Sequence, residues 1–184
     1  MSGHSKWSQI KHKKALTDAK RGKLFSKLVR EITVAAKTGG AKPESNPRLK
    51  SAMEQAKSLG LPKDNIERAL QKAAGKGEDS QNLQEFIYEA LGSGGISIIV
   101  EGITDNKNRT LAQIKQILAE HGGKLADQGS LLWGFDKILT DDGYDYRPKF
   151  PYALESDDKE KLDKLLDALS EQDDVQEVYT NIKE

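Results

Sequence analysis

Near Gly77 the sequence changes its hydrophobic period and its sign of charge together, and that double change sets what the chain can fold into. Before this point apolar residues recur at spacings of three and four, the signature of helices with one buried face. After it, β-branched runs and alternation appear, the signature of strands. Residues 1–77 hold 18 Lys or Arg and 6 Asp or Glu, a net charge of +12. Residues 78–184 hold 11 basic and 23 acidic residues, a net charge of −12. The 184-residue chain is therefore formally neutral while its two parts are strongly opposed. Such asymmetry points to a polyanion partner for the basic part.

The period places the elements. Residues 1–22 read as a polar, lysine-rich arm with Trp7 and Ile10 as its main apolar features. Leu24, Phe25, Leu28, Val29 and Ile32 predict a helix ended by Thr38-Gly39-Gly40. Asn46-Pro47 supplies an N-cap and a proline at the first helical position for a second helix, striped by Leu49, Ala52, Met53, Ala56 and Leu59. A third follows Pro62, with the stripe Ile66, Ala69, Leu70, Ala73 and Ala74, and stops at Gly75-Lys76-Gly77. The outer faces of all three are lysine-rich.

Beyond Gly77, residues 83–91 and 96–100 predict two strands joined by Gly92-Ser93-Gly94-Gly95, a β-hairpin. Thr104-Asp105-Asn106 caps a helix carrying Leu111, Ile114, Ile117 and Leu118. Residues 131–138 predict a third strand. Residues 146–154, broken by Pro148 and Pro151, can form only an edge strand or extended segment. Leu162, Leu165, Leu166 and Leu169 mark a last helix, and residues 175–182 a closing strand. The fold class expected is α+β: an N-terminal helical bundle followed by an antiparallel-sheet α+β sandwich, its helices on one face of the sheet. The domains expected are 1–77 and 78–184.

Several chemistries find no support. The chain has no cysteine, which removes disulfides, Cys-ligated zinc and thiol catalysis. No apolar run approaches the roughly 20 residues that span a bilayer. His4, His12 and His121 are scattered, so no metal or other cofactor is expected. Gly92–Gly95 lacks the Lys-Ser/Thr of a phosphate-binding loop. Asp157-Asp158 and Asp173-Asp174 lie beside helix ends, where capping and solvation explain them. Lys107 and Arg109 read as an isolated basic spot on the surface.

The positive signal is the cluster Lys6, Lys11, Lys13, Lys14, Lys20, Arg21, Lys23, Lys27 and Arg30, with Trp7 and His12 among them. Cations that contact phosphates release condensed counterions, and their contributions accumulate. Trp7 either stacks on a base or sugar or packs against the bundle. Lysines that serve only solubility would also form a charge run, but this run is one-signed, with Asp18 its single acid and i,i+4 acids only for Lys14 and Lys27. A lysine-rich arm with few base-reading residues suits backbone contact more than base readout.

Met1-Ser2-Gly3-His4-Ser5-Lys6-Trp7, Ile10-Lys11-His12-Lys13-Lys14 and Asp18-Ala19-Lys20-Arg21-Gly22-Lys23 closely resemble the YebC/PmpR family, which includes the mitochondrial translational activators called TACO. The likeness continues through Arg30–Lys37, Asn46–Leu49, Pro62–Ala69, Tyr88-Glu89, Thr104–Thr110 and Asp173–Gln176. The resemblance implies three domains, the third inserted within the second. Here only residues 139–145 lie where that insertion belongs, so a short link is expected in its place. The resemblance also implies a non-enzymatic, nucleic-acid-binding regulator of gene expression: a DNA-binding transcriptional regulator, or alternatively a ribosome-associated translation factor that binds ribosomal RNA. In the cluster, the Lys and Arg side chains are expected to neutralise phosphates, Trp7 to stack or anchor the arm, and His12 to donate a hydrogen bond. Expected partners are DNA or ribosomal RNA, with the ribosome a further candidate and no membrane. A cytoplasmic, bacterial protein is expected because the family motif starts at residue 1, and a monomer is favoured. The competing classes are a divalent-ion nuclease and a protein adaptor whose basic arm meets an acidic partner.

Overall fold

The computed structural model describes residues 18–75, 82–140 and 143–183. The expected turn at Asp141-Asp142 and the end of the helical part at Gly77 lie outside the described residues.

The chain divides into two compact units, one built on three helices and one on a sheet. In the first, α1 (Asp18–Gly39), α2 (Pro47–Ser58) and α3 (Lys63–Ala73) form the helical part. Leu28, Ile32, Ala35 and Ala36 of α1 meet Leu49, Ala52 and Ala56 of α2, Leu61, and Ile66 and Ala69 of α3 in one buried cluster. The sequence stripes therefore face the core, apart from Ala74, which is exposed. α1 runs from Asp18, six residues before its first apolar stripe residue, Leu24, and ends where Gly40 takes a φ of 90°.

One side chain joins α1 to α2. Asn46 caps α2, its Oδ1 accepting from the Leu49 amide at 3.1 Å, while its Nδ2 donates to Ala35 O at 2.7 Å and Gly40 O at 2.8 Å. The amide thus serves orphan donors of one helix end and orphan acceptors of another. Gly39 allows this approach, because a Cβ there would stand 2.7 Å from Asn46 Nδ2. Arg48 of α2 adds a forked ion pair to Glu31 of α1, at 2.7 and 3.2 Å.

The second unit is α+β, as expected. The elements of this part of the chain are β1 (Gln84–Leu91), β2 (Ser97–Thr104), α4 (Lys107–Glu120), β3 (Lys124–Leu125), β4 (Phe135–Thr140), β5 (Gly143–Pro148), α5 (Ser156–Glu171) and β6 (Val175–Thr180), of which the end of β4 from Leu139 groups with the first unit. The main sheet has the order β3-β1-β2-β6, with β3 antiparallel to β1 and β6 antiparallel to β2. β1 and β2 are the predicted hairpin neighbours. Ile98 and Val100 of β2 turn towards Ile114 and Leu118 of α4 and the leucines of α5. Between them, Ile99 turns to the opposite face and packs with Phe135, Tyr146 and Tyr179. Both helices cover one face, and β4 and β5 form a separate two-stranded sheet whose residues reach the other.

The segment 131–138 departs from expectation. Leu132–Gly134 is a short 3-10 turn, and the strand starts only at Phe135. The cause lies in β1. The buried Glu89 carboxylate accepts from the amides of Leu131 at 2.6 Å, Leu132 at 2.8 Å and Gly129. Amides captured by a carboxylate cannot serve a strand ladder. The proline-broken segment is extended only from Gly143 to Pro148, and Tyr152 makes a single parallel bridge to Ile182.

Candidate nucleic-acid interface

Of the eleven predicted site residues, Lys6, Trp7, Lys11, His12, Lys13 and Lys14 lie outside the described residues. The other five lie on α1. Lys20, Lys23, Lys27 and Arg30 fall at spacings of three, four and three, which aligns them along one stripe of the helix, with Arg21 beside it. Exposure changes along that stripe. Lys20, Arg21 and Lys23 are exposed, Arg30 is half-buried, and Lys27 is only 2% exposed. Lys27 thus differs from the solvent-facing phosphate contact expected of it: it is covered although Lys20 and Lys23 on the same stripe are open. Lys23, Lys27 and Arg30 all have interaction partners within the chain.

The exposed cations occupy an electrostatically unfavourable place. A helix N-terminus carries the positive end of the macrodipole and favours acids. Here Asp18 stands alone in the first turn, and Lys20, Arg21 and Lys23 follow within two turns. Arg21 reaches Asp18 only at 3.9 Å, with the carboxylate fully solvated, so the pair screens little. Helix stability does not explain cations at this end. They and the helix amides raise one positive potential.

The structure adds exposed cations that the candidate list omitted: Lys37, Lys42, Lys50, Lys57, Arg68 and Lys72. Their signal is the lysine-rich outer faces of the helices, which lie outside the densest run of charge. Arg48 and Lys63 differ, since Glu31 and Glu67 respectively pair with them.

In the sheet unit, Arg109 is not an isolated surface charge. Its guanidinium bonds Asp105 at 2.6 Å and Asp174 at 3.0 Å. These two carboxylates, Asp174 foremost, raise its pKa above the ordinary arginine value. Asp174 is buried and also accepts from Thr110 Oγ1 at 2.6 Å. Neither solvation nor simple capping describes it: it ties the start of α4 to the start of β6. Asp157 and Asp158 do sit in the first turn of α5, where the macrodipole favours them. Among the described residues, no group of three or more His, Cys, Asp and Glu could hold a metal ion. Among them, too, no helix is long and apolar enough to cross a membrane.

Comparison with known proteins accounts for both units. The family model described as the TACO1/YebC protein N-terminal domain matches residues 5–76. The model described as the TACO1/YebC second and third domain matches 83–140 and 137–182, two segments that meet in β4. A probable transcriptional regulatory protein of Desulforamulus reducens is 38% identical over 242 aligned positions, covering all of both chains. Because this chain has 184 residues, that relative carries residues this chain lacks. A protein of the same description from Trichlorobacter lovleyi is 44% identical over 183 residues, 98% of this chain and 70% of that protein. Among solved structures, the conserved hypothetical protein Aq1575 of Aquifex aeolicus superposes with a TM-score of 0.84 at 35% identity, over 96% of each chain. With nearly its whole length matched by the family's models and by relatives above 30% identity, the chain belongs to the TACO1/YebC family.

Proposed function

We propose that this chain is a regulator of gene expression that binds nucleic acid through a basic N-terminal domain, residues 1–77. Its family membership and its relatives, described as probable transcriptional regulatory proteins, support the regulatory role. The observation that supports nucleic-acid binding is the exposed set Lys20, Arg21 and Lys23 in the first two turns of α1, the end where the macrodipole favours acids over cations. Lys6, Lys11, Lys13, Lys14 and Arg30 extend the same one-signed segment, with Trp7 to stack or anchor and His12 to donate a hydrogen bond. The contacts are to phosphates and therefore largely independent of sequence. The acidic domain, residues 78–184, acts as a spacer or protein-docking surface and by repulsion orients the molecule on its target. Within it, residues 139–145 are a short link at the place of the family's third domain, a reading supported by the two matched segments that meet there.

A salt titration of binding to duplex DNA and to ribosomal RNA fragments tests this reading. Each phosphate contact contributes roughly 0.7 to 0.9 to the slope of log K against log salt. The variant Lys20→Ala/Arg21→Ala/Lys23→Ala is expected to lower the slope by about 2. A slope equal to that of the parent would remove α1 from the interface.

A further inference from the structure

Three of the six large apolar side chains that are exposed among the described residues stand close together in the acidic domain. Trp133, just before β4, is 64% exposed, Phe150, just after β5, 63%, and Tyr152 54%. The Trp133 and Phe150 ring centroids lie 6.1 Å apart in a tilted pair. All three residues belong to the sheet unit. Aromatic pairs of this kind normally lie inside a core or an interface. At these exposures the three rings offer roughly 300–400 Å², the scale of surface patches that serve contacts.

Polar groups around the rings find their partners within the chain. Trp133 Nε1 donates to Ser130 O at 2.7 Å, and Lys149 Nζ donates to Trp133 O at 2.9 Å. The Lys149 amide donates to Gly134 O at 2.9 Å. The Tyr152 amide donates to Asn181 O, and Tyr152 O accepts from the Lys183 amide, both at 2.7 Å. A surface satisfied in this way asks a partner for apolar contact and little else. Glu89 also fixes the turn before Trp133 through the amides of Gly129, Leu131 and Leu132. Side chains so held lose little conformational freedom on association.

The patch is nearly neutral in a domain that is not. Residues 131–152 hold three basic and four acidic residues, a net charge of −1, against −12 for residues 78–184. Beside the rings, Lys149 Nζ lies 3.5 Å from Asp136. Such a surface does not attract a polyanion, and a basic partner is drawn to the acidic remainder of the domain instead. A second copy of the chain fits. In a two-fold contact the same patch meets itself and must be its own complement. Rings that pack on rings satisfy this, and so does one lysine beside one aspartate, because each cation can meet the other copy's acid. Contact here also joins two domains of charge −12 where their repulsion is least.

We propose that the surface of Trp133, Phe150 and Tyr152 pairs with the same surface of a second copy, giving a two-fold dimer rimmed by Lys149 and Asp136. The small ring area places the contact among weak, transient interfaces. One consequence rests on the proposed nucleic-acid function: the dimer presents two basic domains to one polymer, and the second engagement gains effective concentration from the first.

Sedimentation equilibrium of the full chain from about 10 μM to about 1 mM, without nucleic acid, tests the contact apart from the function. The parent is expected to dimerise reversibly. Trp133→Ala/Phe150→Ala should weaken the dimer at least about thirtyfold, because each ring counts twice across the axis. Trp133→Phe keeps a ring and should dimerise nearly as the parent does. Lys149→Glu leaves only acids at the rim and should weaken the dimer, and the exchanged pair Lys149→Asp/Asp136→Lys should restore it. Added salt should preserve or strengthen the contact, since it screens the repulsion between the two domains. A parent that stays monomeric over the whole range, or a dimer untouched by the double variant, would overturn the proposal. So would a dimer that salt dissolves, the behaviour of a contact between the +12 and −12 parts of two copies. These outcomes leave the basic domain standing, because the salt titration of nucleic-acid binding reads it separately. Thermal melting checks that the double variant is folded; if it is not, Lys149→Glu and the exchanged pair decide.

Discussion

Asn46 and Gly102 each hold an arrangement that no neighbouring residue could hold in their place. Asn46→Ala removes the cap of α2 and leaves the carbonyls of Ala35 and Gly40 without their donor. Cap loss alone costs about 1 kcal/mol, and the stranded acceptors bring the total to about 2 kcal/mol. Chemical denaturation should read that loss. Asn46→Asp keeps the cap but not the two donations, and should fall between parent and Asn46→Ala. Gly102 sits at the bulge where the β2–β6 register shifts. A Cβ there would lie 2.2 Å from Asp174 O and 2.3 Å from a Phe86 ring carbon. Backbone on one side and a packed ring on the other leave no room to relax. Gly102→Ala is therefore expected to cost about 3 kcal/mol, near the upper end for overpacking, and to lower the melting temperature. A melting temperature equal to the parent's would mean that the bulge can shift.

At the level of elements, what the sequence could reveal depended on how far away each element's partner lies. The five helices of the described residues follow from spacings of three and four together with local caps, such as Asn46 and Asn106, which accept from amides three residues on. β2 reads as buried because it is covered on both faces, by α4 and α5 on one side and by Tyr146, Tyr179 and Phe135 on the other. The turn before β4 could not be read, because Glu89 captures amides some forty residues away in sequence. Arg109 was misread for the same reason, since Asp174 lies 65 residues on. β3, two residues long, is too short to carry a period. In the candidate site the charge was legible, but the exposure was not: no pattern local to α1 says that Lys27 is buried while Lys23 is open. Glu89→Ala tests the long-range explanation. It strands three amides, an expected loss of about 2 kcal/mol. In hydrogen exchange, Gly129, Leu131 and Leu132 should lose protection first, with β2 and β6 still protected.

At the scale of the whole molecule, charge is divided between the parts, and so is phenolic chemistry. All five tyrosines follow residue 77. Tyr146 and Tyr179 are buried in edge-to-face contact, 5.1 Å between centroids, against the sheet face away from the helices. Burial, followed by the charge of Glu101, pushes the Tyr146 phenol well above its ordinary value. Burial, followed by Glu177 and Glu101, does the same to Tyr179. In the unfolded chain both phenols ionise near pH 10. The folded state keeps their protons to higher pH, so above about pH 10 the unfolded state binds fewer protons and stability falls. Below that pH the contribution is fully present. The α+β unit should therefore unfold cooperatively under alkali, with a rise in phenolate absorbance at the same pH as the loss of its circular dichroism. Tyr179→Phe removes the ionisable group and keeps the ring. It should move the transition to higher pH, at the cost of a weak hydroxyl contact of 3.4 Å to Tyr144 O. The helical part contains no phenol, so this transition should leave the helix signal of α1, α2 and α3 behind. Phenolate absorbance that reaches the value for all five phenols, with no accompanying loss of sheet structure, would show that solvent reaches both rings in the folded protein, contrary to the packing of Ile99, Phe135, Tyr146 and Tyr179 as one core.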